Sequence, residues 1–166
     1  MNLEALFTSI EDWPISAALR GETPGTEWLF PIVETLHVVA FTIVVGSIAM
    51  VDLRLLGIAS RNSSVSRLSN EVLPWTWIAW GMAAVFGTLM FMAKAHTYAG
   101  NLQFQLKLLC MGLAAVNMLI FNFGAYRRVA RWDLGEPPTA AKVAGALSLS
   151  LWIGVVFFGR WIGFTT

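Results

Sequence analysis

The sequence predicts an all-α integral membrane protein: a four-helix bundle threaded up-down-up-down, with a short interfacial helix at its N-terminus. Three observations lead there. Of 166 residues, 57% are apolar and 13% are charged, roughly half the charge density of a soluble domain. Four apolar runs each approach the ~20 residues that a helix needs to cross hydrocarbon. Lysine and arginine gather between alternate runs, as they do in a chain that crosses a membrane several times.

The first 28 residues form an amphipathic segment. Leu3, Leu6, Phe7, Ile10 and Trp13 recur at helical spacing, which predicts a short helix lying on the outer leaflet, with docking on a partner as the rival reading. The segment has neither the basic start nor the continuous apolar stretch of a cleaved signal peptide. Pro14 is expected to end or kink the helix, and Gly21, Pro24 and Gly25 to turn the chain before the first span. The spans are placed at about 29–51, 75–95 (just after Pro74), 102–124 and 143–164. In lipid every backbone polar group must be satisfied within the protein. The runs are too long, and lack the alternation, for barrel strands, so they are read as helices. The stretch Ser60 to Asn70 reads as a polar loop, and Glu136-Pro137-Pro138 as a linker. Residues 1–166 form one domain without repeats. The single cysteine, Cys110, permits no intramolecular disulfide.

Charge sets the expected direction. Arg54, Arg61 and Arg67 follow span one, and Arg127, Arg128, Arg131 and Lys142 follow span three, so seven of eleven Lys/Arg share one side. The positive-inside rule makes that side cytoplasmic and both termini external. Trp28 and Trp161 then fall at the outer interface, with Trp75, Trp77 and Trp132 at the inner one. Trp152 falls mid-span and is read as packing. Asp52 and Arg54, at the inner end of span one, are expected to pair and hold the loop. A net charge of +1 argues against a nucleic-acid partner.

The chemical signal is a one-sided polar layer. His37 stands eight residues into span one, about 12 Å deep, and Lys107 five residues into span three, about 8 Å from the same side. Threading adds Glu34, Lys94, His96 and Arg160 to that outer half, whereas within the spans of the inner half only Asn117 and Asn122 are strongly polar. Ionisable groups at membrane depth are costly and need a partner or a task. Glu34 and His37 share a helix face at i and i+3, so Glu34 could fix the imidazole's tautomer. Plainer readings are a self-satisfied ion pair there, a water-facing His96, and snorkelling by Lys107 and Arg160. As a set, His37 and His96 offer axial imidazoles for a heme b. Lys94, Lys107 and Arg160 offer cations for its propionates, and Phe30, Phe41, Phe91, Met92 and Phe104 its walls. The expected function is electron transfer near the outer face, between a quinone or other membrane partner and a periplasmic redox protein. Copper, on Met90, Met92, Cys110 and the two histidines, is the alternative metal. A cofactor-free membrane subunit or small transporter is the alternative class. No HExxH motif, phosphate loop or serine nucleophile elbow is present.

Trp28-Leu29-Phe30-Pro31, Glu34-Thr35-Leu36-His37, Gly46-Ser47 and Asp52-Leu53-Arg54-Leu55-Leu56-Gly57 resemble an uncharacterised family of small bacterial four-helix membrane proteins. The likeness continues through Leu73-Pro74-Trp75-Thr76-Trp77, Tyr126-Arg127-Arg128-Val129-Ala130-Arg131-Trp132-Asp133 and Gly159-Arg160-Trp161-Ile162-Gly163. It implies a multi-pass protein of the bacterial inner membrane and brings no activity with it. A looser similarity runs to copper-resistance membrane proteins of the D type, which also open a helix with a histidine. The heme-binding membrane protoporphyrinogen oxidases pair a first-helix histidine with a third-helix lysine, as His37 and Lys107 are placed here.

Overall fold

The structure is a computed structural model that describes residues 3–60 and 62–165; Arg61, one of the seven clustered cations, lies outside them. Among the described residues seven α-helices follow one another: α1 (Leu3–Glu11), α2 (Pro14–Leu19), α3 (Leu29–Leu55), α4 (Val65–Ala93), α5 (Ala95–Gly100), α6 (Leu102–Phe123) and α7 (Thr139–Thr165), with a 3₁₀ helix at Ala125–Arg131. Helices α3, α4, α6 and α7 are each long and apolar enough to cross a membrane. Their outward faces carry Val38, Val39, Ile43, Leu109, Ile120 and Ile153, all exposed. Helices apolar on the side away from the core need lipid rather than water as solvent, and the chain is a multi-pass membrane protein.

The four long helices form two close pairs, α3 with α4 and α6 with α7. The pairs are joined along α3 and α7, while α4 and α6 scarcely touch. Buried residues fall in three tiers. Leu19, Val33 and Ala93 pack at the end where α3 begins and α7 finishes, here the terminal end. Val44, Ala79, Ala114, Trp152 and Val155 pack midway, and Leu55, Val65 and Ala141 at the opposite, loop end. Gly145 brings α7 hard against α3: a Cβ there would stand 3.1 Å from both the Asp52 carbonyl oxygen and Leu55 Cβ.

Two helix starts differ from expectation. α4 begins at Val65, within the stretch read as a loop, so Pro74 lies inside the helix rather than before it. The reason is local. Ser64 Oγ accepts the Arg67 N–H at 3.2 Å as an N-cap, and Arg67 and Glu71 pair at 2.8 Å one turn apart. These polar first turns are helical without being apolar. α7 likewise begins at Thr139, directly after Pro138. The arginine-rich stretch after α6 coils into the 3₁₀ helix, set off by Gly124, where a Cβ would meet the Ile120 carbonyl oxygen at 2.7 Å.

At the terminal end, α1 and α2 lie across the bundle. Pro14 takes the first position of α2, where its missing N–H costs nothing. Phe7 sets its edge against Phe91 and His96, with ring centroids 6.2 and 5.5 Å apart. Arg20 donates to the Glu11 and Ala93 carbonyls at 2.9 and 3.3 Å and pairs with Glu22 at 2.7 Å. The amphipathic helix is therefore clamped onto α4 and α5 of its own chain.

At the loop end the expected Asp52–Arg54 ion pair does not form. Arg54 is buried and donates to the carbonyls of Ser63 (2.8 Å), Asp133 (3.2 Å) and Gly135 (3.5 Å). Side chains at i and i+2 point to different sides of a helix, so Arg54 reaches out to tie both loops while Asp52 faces the bundle.

Candidate functional site

His37 sits on α3 in the terminal half, half-buried. Its Nδ1 lies 2.8 Å from the Ala83 carbonyl oxygen of α4. A carbonyl only accepts, so in the neutral ring the proton stands on Nδ1 and the lone pair is left on Nε2. The approach depends on Gly87, one turn after Ala83, where a Cβ would be 3.0 Å from His37 Cε1 and 3.3 Å from Nδ1. Phe41, one turn along α3, stacks on the imidazole with centroids 6.0 Å apart and planes 16° from parallel. Lys107 of α6 brings Nζ to 5.4 Å from the Phe41 centroid, and its stem runs past Gly159 of α7. No hydrogen bond or ion pair holds that amine among the described residues. His37 and Lys107 thus both pack on one phenyl ring, and Phe41 continues to Trp152 at 5.9 Å.

The rest of the predicted layer is dispersed. His96 opens α5 and faces α1: its Nδ1 is 3.1 Å from Glu11 Oε2, its Nε2 3.5 Å from Glu4 Oε2, and its backbone N–H donates to Glu11 Oε1 at 2.9 Å. Burial works against the Glu11 carboxylate, but the backbone N–H and ring of His96, with Arg20 behind them, hold its pKa below the ordinary 4.5. Ala83, the His37 partner, stands ten residues before the end of α4, about 15 Å away along the axis. The structure does not bring the two imidazoles together. Lys94 is exposed at the α4–α5 break. Arg160 is exposed, with its guanidinium 5.2 Å from the Phe164 centroid. Glu34 is exposed and makes no hydrogen bond to His37 among the described residues. Its charge acts on Tyr98, whose pKa is raised first by burial and then by this carboxylate.

The loop half contains a second centre that the sequence reasoning missed. A cavity of about 550 Å³ lies between α4 and α6, floored by α3 and α7. Its walls are mostly apolar, including Trp77, Trp80, Met111, Met118, Phe121 and Trp152, with Asp52, Ser69, Thr76, Asn117, Asn122, Tyr126 and Ser148 as polar points. Thr76 bonds Ser47 at 2.8 Å, and Asn117 donates to the Ala144 carbonyl at 2.9 Å. Asp52 is 5% exposed, Ser148 lies beside its carboxyl, and its Oδ2 is buried with no hydrogen-bond partner. The available signal was an aspartate still inside the helical run that continues past residue 51.

Among the described residues, no three His, Cys, Asp or Glu side chains gather where they could hold a metal ion. Met90 packs in the terminal tier and Cys110 in the middle one.

Fold and site together define a multi-pass helical membrane protein with a histidine–lysine centre in one half of its bundle and an acid-lined cavity in the other. The chain belongs to the DUF6644 family, a family of unknown function, whose model matches residues 21–165. No curated protein and no solved structure matches it.

Proposed function

We propose that the protein binds a b-type heme in the terminal half of the bundle and carries electrons there, with His37 as an iron ligand. The observation that carries this is the 2.8 Å contact from His37 Nδ1 to the Ala83 carbonyl. Fixing the proton on one ring nitrogen orients the other as a ligand, as in most metal-bound histidines. The donor set fits the group. It comprises an imidazole with a free Nε2, an unpaired amine on Lys107, and aromatic walls from Phe41 and the stacked Phe91–Phe104 pair at 5.6 Å. Lys107 would supply a second iron ligand or the cation for a propionate. With His96 engaged by Glu4 and Glu11, the ligand pair proposed is His37 with Lys107 rather than two histidines. Bound heme would supply one-electron redox chemistry. The Ala83 carbonyl would hold the ring's orientation, and Phe41 would pack on the imidazole and exclude water. A quinone or a redox protein at that membrane face is the partner class, in a bacterial inner membrane with both termini outside.

The test is a reduced-minus-oxidised spectrum of protein purified in detergent from cells supplied with ample heme. A Soret band is expected in the wild type. It should be lost in His37→Ala, shifted or weakened in Lys107→Ala, and kept in His96→Ala. A wild type without the band overturns the reading, and elemental analysis of the same sample reports copper.

A cofactor-free transporter or membrane subunit is the second reading, favoured by the buried Asp52 carboxyl in the cavity wall. It gains if His37→Ala keeps colour and metal content but loses uptake or assembly.

A further inference from the structure

The cavity of the loop half has the features of a ligand site rather than of a packing fault. At about 550 Å³ it falls within the ~300–1,000 Å³ typical of small-molecule sites. It opens sideways, because α4 and α6 leave a gap between them, so its mouth faces lipid. One buried acceptor, Asp52 Oδ2, has no partner. An unmet buried polar atom is costly, and the Asp52 carboxyl that carries it borders this cavity.

The chemistry of that donor can be narrowed. Among the described residues no lysine or arginine lines the cavity, so an anionic headgroup meets no counter-charge there. An ammonium brings three N–H donors, against one unpartnered carboxyl oxygen. A hydroxyl matches, and a second on the same ring has Ser69, Asn122 and Tyr126 of the lining as polar partners. The indoles of Trp77, Trp80 and Trp152 line the apolar part, and aromatic faces favour a flat ring by offset or edge stacking. We infer that the cavity binds a lipid-soluble hydroquinone, its ring hydroxyl donating to Asp52 and its ring lying among these indoles. This goes beyond the heme reading and does not depend on it. Cavity and His37 are nonetheless linked through the Trp152–Phe41–His37 ring contacts.

The experiment is equilibrium dialysis of a radiolabelled decyl-substituted hydroquinone against the full-length protein in detergent, corrected for micelle partition. Saturable binding is expected in the wild type whether or not the preparation shows a Soret band, so that failure of the heme reading leaves this result standing. The O,O-dimethyl ether of the same ring should bind at least tenfold more weakly. Asp52→Leu should also lose at least tenfold in affinity while its thermal midpoint stays level or rises, because a buried carboxyl with one unmet oxygen is being removed. Gly112→Phe keeps Asp52 and adds a ring in the cavity wall, where a Cβ meets nothing within 4 Å; it too should abolish binding. Three results would each overturn the inference: no saturable binding by the wild type, equal binding of the ether, or full binding by Gly112→Phe.

Discussion

The two halves of the bundle treat their ionisable groups differently. In the terminal half, His37 and Lys107 are packed by direct contact, with glycine at the points of closest approach. In the loop half, Asp52 lines open space and its Oδ2 touches no donor. The same helices build both, so the contrast arises from side-chain size and spacing. Where α4 presents Gly87 the imidazole of α3 can reach a backbone carbonyl. Lower down, where α4 presents Trp77 and Trp80 to the gap facing α6, the walls stand apart and space remains. Polar residues at membrane depth are thus of two kinds here, one seated and one waiting.

The largest test of this contrast is at Arg54, which secures the loop half. Arg54→Ala leaves three carbonyls without their shared donor. With hydrogen bonds to a charged group each worth ~1.5–3 kcal/mol, stability should fall by about 3 kcal/mol or more in a thermal or denaturant melt in detergent. Arg54→Lys should recover less than half, since an ammonium cannot fork among separate acceptors as a guanidinium does. A loss below ~1 kcal/mol for the alanine variant would mean that the loop half stands without this tie.

Next in size is Gly87→Val. Its Cβ would crowd the imidazole at 3.0 Å, and overpacking of this kind costs about 1–3 kcal/mol. The heme spectrum should weaken with it as Nδ1 is pushed off the Ala83 carbonyl. Gly81→Val, on the same helix with nothing within 4 Å of its Cβ, should leave both properties nearly unchanged. Equal effects from the two variants would remove the special status of the His37 seat.

The smallest effect concerns the α1 clamp, through pH. The Glu11 pKa is lower in the folded protein than its ordinary value of 4.5. The ionised form is therefore the one that folding favours. Its stabilisation is fully present above the unfolded pKa and is lost as pH falls through the lower, folded pKa. Amide exchange in residues 3–11, corrected for intrinsic rate, should quicken below pH 4.5 in the wild type. It should be flatter with pH in Glu11→Gln. A pH-independent exchange profile in the wild type would show that Glu11 does not hold α1.

The spans were legible because hydropathy depends only on neighbours in sequence. The starts of α4 and α7 were not, since Ser64, Arg67 and Glu71 make helix by capping and pairing without raising hydropathy, and Pro74 looked like a boundary. The closeness of His37 and Lys107 to one side of the bundle followed from counting residues along alternating helices. The pairing of His96 with Glu4 and Glu11 did not, because it depends on where a short helix lands after folding. Asp52 was assigned to Arg54 because the two are near in sequence. Its true surroundings are made by α4, α6 and α7, and no local pattern reports a gap between two helices that fail to meet.

That gap has a consequence for how binding there should be measured. A molecule that reaches the cavity through the lipid-facing side never has to leave the hydrocarbon, so its chemical potential is set by its mole fraction among the lipids. Adding more bilayer at a fixed amount of compound would dilute it and lower occupancy, even with protein and buffer unchanged. An affinity quoted per litre of water would describe the solubility of the compound more than the grip of the protein.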